Sequence, residues 1–373
     1  YDDIKRGNIE NELMQTTGLK WVQHFKRKHD FAVNFPDKNI AVSGLCKSEG
    51  GCTLKYYRTS SGIIIGENKL DLHRCTSVVA LDNKLVFVGE KRVEDGSPIY
   101  TLFVIDPQSQ TIKNKISLWD DGYYTTEKIY YFDDMYIVDS YYNEAAQLLG
   151  NSSRYLTAVD GNNEVVMWKN NYEYDLLHRT YHAELINKNN FIIVPLSEQL
   201  QIINKFSGEI DQVYEFDEFD GIRFIDQNSL NGDNISFITI DDEFVTFNLT
   251  SLEILHSDEI YFDNILKTAF LNYNSMLSYT YDGFDSSVIL YEYNGKELIR
   301  RWIEHFKGQI RILDVIDNTA YILSSDGGSI ITINFENPIN KKTNHLLWDA
   351  EKIFVDIKSY GILYKNGLYF ITI

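Results

Sequence analysis

The sequence predicts an all-β fold, a β-propeller of four-stranded antiparallel blades, and three observations lead to it. Aromatic residues make up 14% of the 373 residues, and aromatic and β-branched side chains suit half-buried pleated surfaces. A unit of strands and tight turns recurs at intervals of 42 to 52 residues. Both ends of the chain contain strand-like segments that complete one further unit. A four-stranded unit of this length is typical of a propeller blade.

The clearest part of each copy is a strand, a tight turn and the strand that ends the unit. The turns of the best copies contain Ser61-Gly62, Gly161 and Ser207-Gly208. Glycine suits these turns because it adopts a positive φ without steric cost. An apolar segment such as NIAVSGL or NFIIVPL precedes each copy, and we interpret these segments as inner strands. The seven copies span residues 53–70, 102–118, 155–169, 200–216, 244–255, 288–302 and 330–347.

The two ends of the chain together predict an eighth blade. Residues 353–373 supply three strands, with a hairpin signal at Asn366-Gly367, and residues 16–25 (TTGLKWVQHF) supply the fourth. We therefore expect an eight-bladed propeller closed by N- and C-terminal strands in one blade, with seven blades and an N-terminal extension as the alternative. Residues 1–373 are expected to form a single propeller domain, cut from a longer chain.

The turn consensus, Leu-x-x-Ile-Asp/Asn-x-x-Ser/Thr-Gly-x-x-x-Trp, resembles the repeat of quinoprotein (PQQ-like) propellers. The best matches are Gly18 with Trp21, Gly161 with Trp168, and Ser207-Gly208. Most other copies replace the tryptophan with isoleucine, tyrosine or phenylalanine.

The enzymes of this class hold their cofactor between an adjacent pair of bridged cysteines and a tryptophan, with calcium bound by Glu, Asn and Asp. No two cysteines are adjacent in this chain. The sequence therefore disfavours a dehydrogenase, and we expect a non-catalytic chain without cofactor or metal.

Two scaffold families with this repeat remain. The segment Tyr1-Asp2-Asp3, followed by the Trp21 to Phe25 strand, resembles the start of the luminal propeller of ER membrane protein complex subunit 1, although more residues intervene here than in that family. This resemblance implies a luminal scaffold that supports insertion of transmembrane segments, with other subunits of a membrane complex as partners. The alternatives are a bacterial periplasmic assembly scaffold, or an enzyme or small-ligand binder that uses the central funnel.

The charge of the chain disfavours two classes of partner. The formal net charge is −19 and the pI is near 4.8, so the surface repels phosphate backbones and anionic lipid. We expect no nucleic-acid binding and no direct membrane contact by this segment.

Cysteines and sequons favour a secretory compartment. Cys46 and Cys52 flank the loop KSEGG, and they come opposite each other if the flanking strands form a hairpin, which predicts a disulfide. Two free thiols are the alternative, and Cys75 is left over and expected to be buried. The three sequons begin at Asn151, Asn234 and Asn248, the candidate glycosylation sites.

Other clusters of polar residues are interpreted as loops. His178 and His182 have helical ligand spacing but lie between blades, and residues 211–220 (DQVYEFDEFD) lack the donor spacing of a calcium loop. Acidic pairs such as Asp133-Asp134 suit hairpin tips.

Partner binding is predicted in two insertions, residues 141–154 and 90–98. The first contains an apolar patch that includes Ala145, Leu148 and Leu149, and a lone soluble domain gains little by exposing it. The alternative is that these side chains fold over their own blade.

Overall fold

A computed structural model defines the fold of the chain and its division into two compact units. The first unit comprises Tyr1–Glu144, Val159–Val166 and Thr319–Ile373, and the second comprises Ala145–Ala158 and Met167–Asn318. The residues described are 19–24, 29–47, 50–94, 96–120, 123–143, 151–175, 183–196, 199–216, 219, 221–260, 265–316, 319–324, 329–334, 341–345, 352–356, 359–364 and 367–372.

These described residues fold almost wholly into strands and turns. In chain order the first seventeen strands are β1 (Leu19–His24), β2 (Phe31–Phe35), β3 (Ile40–Cys46), β4 (Cys52–Arg58), β5 (Ile64–Leu70), β6 (Arg74–Leu81), β7 (Lys84–Arg92), β8 (Pro98–Asp106), β9 (Thr111–Trp119), β10 (Tyr123–Phe132), β11 (Met135–Asn143), β12 (Asn151–Asp160), β13 (Val165–Asp175), β14 (Ile186–Lys188), β15 (Phe191–Pro195), β16 (Gln199–Asn204) and β17 (Ile210–Glu215). The others are β18 (Ile222–Phe224), β19 (Leu230–Asn231), β20 (Asn234–Thr239), β21 (Glu243–Asn248), β22 (Glu253–Glu259), β23 (Ile265–Asn272), β24 (Ser275–Tyr281), β25 (Asp285–Tyr293), β26 (Leu298–Lys307), β27 (Arg311–Ile316), β28 (Thr319–Leu323), β29 (Ser329–Asn334), β30 (Lys341–His345), β31 (Lys352–Asp356), β32 (Ser359–Tyr364) and β33 (Gly367–Thr372).

The strands form seven four-stranded sheets and one five-stranded sheet. Six four-stranded sheets follow chain order: β2 to β5, β6 to β9, β10 to β13, β14 to β17, β23 to β26 and β27 to β30. The five-stranded sheet has the order β18-β20-β21-β22, with β19 paired to β20. Antiparallel strands that are consecutive in the chain can be joined by short hairpins, without the crossover helices that parallel strands need. The pairing therefore confirms the predicted all-β class.

The remaining sheet takes strands from both ends of the chain. Its order is β1-β33-β32-β31, and β1 runs antiparallel to β33 with Val22 opposite Tyr369. Part of the predicted segment 16–25 therefore pairs with the last strand.

The predicted turns separate the last two strands of their sheets. Gly62 and Gly208 have φ values of +70° and +73°, as expected for glycine in tight turns. The turn at Gly161 works differently, because the positive φ falls on Glu164. A Cβ atom on Gly161 would lie 2.7 Å from the Asp134 carbonyl oxygen, so close approach is what requires glycine there. The turn predicted near Asn337 lies outside the described residues.

The segments interpreted as inner strands occupy the second position in their sheets. NIAVSGL forms β3 and NFIIVPL forms β15, and each is preceded by another strand. Two of the first strands are more polar: β6 contains Arg74 and Thr76, and β10 contains Thr125 and Glu127.

Each unit has its own apolar core. In the first unit, side chains of β2 to β8 form one cluster around Phe35, Tyr56 and Phe87, all buried. In the second unit, Phe237 and Phe247 lie in one cluster and Met276 lies in another. Burial of large apolar side chains is the main stabilising contribution in both.

Helical structure is confined to two short 3-10 turns, Pro36–Lys38 and Gln227–Ser229, among the described residues. Within the same residues, no helix has the length and hydropathy that a membrane span requires.

Candidate functional site

The predicted disulfide forms in the first unit. Cys46 ends β3 and Cys52 begins β4, and the two residues are direct partners in the antiparallel register. Their Cα atoms are 4.0 Å apart and their sulfur atoms are bonded. The bridge therefore closes the hairpin loop, as the spacing of the two cysteines predicts.

The third cysteine joins this bridge from a different sheet. Cys75 lies in β6, is half-buried and has no covalent partner. Its Sγ atom is 3.5 Å from Sγ of Cys46, and the three sulfur atoms lie within 4.8 Å of one another. A bridged sulfur carries no hydrogen, so the Cys75 thiol is the donor in this contact. We call Cys46, Cys52 and Cys75 the cysteine cluster.

Strand β6 is irregular shortly after Cys75. The register of β6 with β7 shifts between Thr76 and Val79, and Ser77 within the shift has a φ of +49°. The Ser77 hydroxyl donates to the Thr126 carbonyl oxygen at 2.9 Å. A bulge of this kind redirects side chains locally.

A cavity of about 480 Å³ adjoins the cluster, and Cys46 and Cys75 are part of its lining. Charged and imidazole groups come from Asp30, His73 and Arg74, with Glu127 from β10. The Asp30 carboxylate accepts a hydrogen bond from the Cys46 backbone N–H at 2.7 Å. The lining of the cavity therefore combines charged groups with the sulfur atoms of the cluster.

The electrostatics of this region keep Cys75 protonated at neutral pH. Burial raises the pKa of the Cys75 thiol to about 12, and the charge of Asp30 adds to the effect. A thiolate is the form that attacks disulfides and binds metals, so reactivity depends on removing this proton. The cluster is a group of three cysteines that could hold a metal ion, a possibility that sequence reasoning missed. Metal binding would require reduction of the bridge, because cysteine binds metals as the thiolate and a bridged sulfur is not one.

A second candidate region is the β16–β17 turn and strand in the second unit. Phe206, Ile210 and Val213 are 50%, 51% and 41% exposed, and we call residues 205–213 the apolar hairpin. The indole N–H of Trp168 donates to the Lys205 carbonyl oxygen at 2.8 Å, and the Asn170 side-chain amide donates to the Gly208 carbonyl oxygen. The turn is thus anchored while its apolar side chains face solvent.

Exposure of large apolar side chains follows a pattern in the described residues. Nine of the twelve such residues lie on a fourth strand of a sheet or in the turn that leads into it: Ile63, Ile64, Ile112, Val165, Met167, Phe206, Ile210, Val213 and Leu255. Fourth strands are the last strands in the order of their sheets, and the edge of a sheet is where a partner segment can add a strand.

Two of the three sequons lie opposite each other. Asn234 in β20 and Asn248 in β21 are register partners, and Nδ2 of Asn248 donates to Oδ1 of Asn234 at 2.7 Å. Oδ1 of Asn248 also accepts from the backbone N–H of Thr250 at 2.9 Å. Both asparagines are thus engaged in local hydrogen bonds. Asn151 begins β12, but its side chain lies outside the described part of the chain.

The first predicted insertion is partly strand: residues 141–143 end β11 and residues 151–154 begin β12. Residues 144–150, with Ala145, Leu148 and Leu149, lie outside the described residues, as do His178 and His182. The second insertion is partly strand as well. Lys91 pairs with Ile99 and Arg92 with Pro98, so residues 90–92 belong to β7 and Pro98 begins β8.

Two serine–histidine contacts occur in the described residues, and neither has the setting of a nucleophilic site. His29 Nδ1 lies 2.7 Å from Ser43 Oγ, but Ser43 is fully buried and a substrate cannot reach it. Ser287 Oγ lies 2.9 Å from His305 Nδ1 on an exposed strand pair, whereas nucleophilic catalysis depends on a site that excludes water.

No family model matches the chain, and no curated protein matches it. Solved structures do: the computationally designed Ika8 protein has a TM-score of 0.59 and 13% identity, with 96% of each chain covered. BamB from Moraxella catarrhalis has a TM-score of 0.51 and 16% identity over 81% of this chain and 80% of its own. Sqt1 from Saccharomyces cerevisiae has a TM-score of 0.63 and 9% identity over 96% of this chain and 99% of its own. At these identities the likeness concerns the fold alone, and BamB and Sqt1 place it as a β-propeller.

Proposed function

We propose that this chain is a non-catalytic protein-interaction scaffold, the luminal propeller of a subunit of an ER membrane complex that supports insertion of transmembrane segments. The proposal includes eight blades, with seven as the alternative. The sheet that combines β1 with β31, β32 and β33 supports the count of eight.

The observation that carries the scaffold function is the apolar hairpin. Phe206, Ile210 and Val213 are each about half exposed within one hairpin, and several exposed apolar side chains close together in the chain are typical of a partner-binding surface. The anchoring bonds from Trp168 and Asn170 limit the entropy that the hairpin would lose on binding. An anchored apolar surface on the last strand of a sheet suits recognition of a protein segment.

The disulfide supports the luminal compartment. Structural disulfides persist in oxidising compartments such as the ER lumen and the bacterial periplasm. The periplasm, and with it the bacterial assembly scaffold, is therefore the alternative.

The test replaces apolar side chains without changing the turn. Ile210→Ser with Val213→Ser, in the full-length protein expressed in its own cells, should reduce co-purification of partner subunits at least tenfold. Thermal stability should change little, because both side chains are already about half exposed. Gln212→Ser, an exposed polar position on the same strand, is the matched control. Undiminished co-purification by the double variant would contradict the proposed surface.

A second candidate, small-ligand binding, is favoured by the cavity beside the cysteine cluster. Asp30, His73, Arg74 and Glu127 offer both signs of charge around about 480 Å³. A panel of small acids and amines, screened by thermal shift, tests it. A stabilising compound whose effect is lost in Arg74→Ala would favour ligand binding, and no stabilisation by any compound would count against it.

A further inference from the structure

The cysteine cluster combines a disulfide with a free thiol in van der Waals contact. We propose that it is a thiol–disulfide exchange centre, in which the bridge moves between Cys46–Cys52 and Cys46–Cys75. The first bridge lies within the β2–β5 sheet, and the second would tie that sheet to the β6–β9 sheet. Both sheets belong to the first unit.

The distances favour Cys46 as the sulfur that is attacked. Sγ of Cys75 lies 3.5 Å from Sγ of Cys46, and a disulfide bond is about 2.05 Å long, so the attacking sulfur needs to move by only about 1.5 Å. Cys46 is half-buried, whereas Cys52 is 1% exposed and shielded from thiols in solution. Cys75 is therefore already in contact with the Cys46 sulfur, whereas external thiols cannot reach the Cys52 sulfur.

The exchange needs no external oxidant or reductant. The Cys75 thiol loses its proton, and its sulfur forms a bond to Sγ of Cys46 while the bond between Cys46 and Cys52 breaks. Cys52 leaves with the electron pair of the broken bond and takes up a proton. One disulfide and one thiol are present before and after the step.

The surroundings provide a place for the leaving group. Sγ of Cys52 lies 3.5 Å from the carbonyl oxygen of Leu72. In the bridged state this sulfur has no hydrogen to donate, but once released as a thiol it can donate to that carbonyl oxygen. The contact thus becomes a weak hydrogen bond only after exchange.

The rate is expected to depend on pH through the attacking thiol. Burial and Asp30 raise the pKa of Cys75 to about 12, and the other charged or titratable groups that line the adjoining cavity are His73, Arg74 and Glu127. Below that pKa, the thiolate fraction and therefore the exchange rate should rise about tenfold per pH unit. Near neutrality the chain would hold the Cys46–Cys52 bridge for long periods.

Trypsin separates the three cysteines, which makes the exchange measurable. Cleavage after lysine and arginine places Cys46 in residues 39–47, Cys52 in residues 48–55 and Cys75 in residues 75–84. The full-length protein is incubated at pH 7, 8 and 9, quenched with acid, and unfolded in guanidinium chloride with excess N-ethylmaleimide at pH 5. Mass spectrometry then identifies the alkylated cysteine and the linked peptide pair.

We expect label to move from Cys75 to Cys52 as incubation proceeds, together with a growing link between residues 39–47 and 75–84. The rate should rise about tenfold per pH unit and be independent of protein concentration, as an intramolecular step requires. Label that stays on Cys75 after prolonged incubation at pH 9 would overturn the proposal. A rate proportional to protein concentration, or a link between residues 48–55 and 75–84 alone, would overturn it as well.

Two variants test the geometry separately. Cys75→Ser should keep the Cys46–Cys52 link and show no labelling of Cys52 at any pH. Cys52→Ser, treated with oxidised glutathione, should form the Cys46–Cys75 link within the folded chain. Failure of that link to form, in a variant whose thermal unfolding remains cooperative, would show that the two sulfurs cannot reach bonding distance and would overturn the proposal.

Discussion

Acid should destabilise this protein through His29, a buried histidine next to β2. The ring is 4% exposed, and Nδ1 lies 2.7 Å from Oγ of Ser43, whose hydroxyl donates to the Tyr57 hydroxyl at 3.2 Å. Burial lowers the pKa of His29 from 6.5 to about 4, and the positive charge of Lys55 adds to the effect. The folded state therefore holds this ring neutral at pH values where the unfolded chain protonates it.

The sign and size of the effect follow from proton linkage. Between pH 6.5 and pH 4 the unfolded state binds a proton at His29 that the folded state does not, so the contribution present above pH 6.5 is lost as the pH falls. One unit of pKa difference corresponds to about 1.4 kcal/mol, so the loss approaches about 3 kcal/mol by pH 4. This is a substantial part of the 5–15 kcal/mol that is typical of domains.

Urea unfolding of His29→Asn and of the wild-type protein at pH 7 and pH 4.5 measures this contribution. The variant should be less stable at pH 7, because it disturbs a buried hydrogen bond. At pH 4.5 the wild-type protein should have lost about 2–3 kcal/mol more of its free energy of unfolding than the variant, so the difference between them should shrink or change sign. His305→Asn, which removes an imidazole at an exposed position, is the matched control. A difference for His29→Asn that is the same at both pH values would refute the reasoning.

Three further predictions concern the second unit. Gly208→Ala should destabilise the protein by more than Gly295→Ala, for which we expect a loss of about 1 kcal/mol. Both glycines have positive φ, but only a Cβ atom on Gly208 would lie 2.6 Å from an indole carbon of Trp168. Equal losses in thermal unfolding would contradict this. Burial raises the pKa of Asp226 from 3.8 to about 6, so the stability it contributes below pH 4 is lost as the pH rises to 6. Asp226→Asn should remove this decline of up to about 3 kcal/mol, and an unchanged pH profile in urea unfolding would argue against it. Glycans on Asn234 and Asn248 should exclude each other, because the two amides are cross-strand partners joined by a 2.7 Å hydrogen bond; glycopeptide mapping that finds both occupied on one molecule would disprove the exclusion.

The repeat could be predicted from the sequence because its signals are local. Turn residues act within four or five positions, so Gly62 and Gly208 mark the boundary between two strands wherever the sheet lies. Asp133 and Asp134 also adopt positive φ at a hairpin tip, as the acidic pair indicated. The first strands were harder to recognise, because a strand as short as Ile186–Lys188 contains too few residues for alternation to show.

The sequence predicts the contact of two of the three cysteines, for the same reason that it predicts the turns. Cys46 and Cys52 are close because one hairpin brings them opposite each other, and their spacing reveals that. Cys75 comes from a different sheet of the same unit, and β6 has a register shift just after it. Neither the packing nor the shift leaves a pattern in the sequence, so the cluster and its adjoining cavity required the structure.

The pairing of β1, near the N-terminus, with β33, near the C-terminus, allows a further test of the fold. The backbone of β1 pairs with β33 at five positions, from Leu19 opposite Ile371 to His24 opposite Gly367. Removing residues 1–25 would leave the β33 edge with unpaired N–H and C=O groups, a template for association with another chain. We expect aggregation or a markedly lower Tm, measured by light scattering and thermal unfolding. Removal of residues 1–15 alone keeps β1, so this shorter truncation is the matched control. If the longer truncation were as monodisperse and as stable as the shorter one, the pairing would contribute nothing to the fold, and the eight-bladed proposal would lose its support.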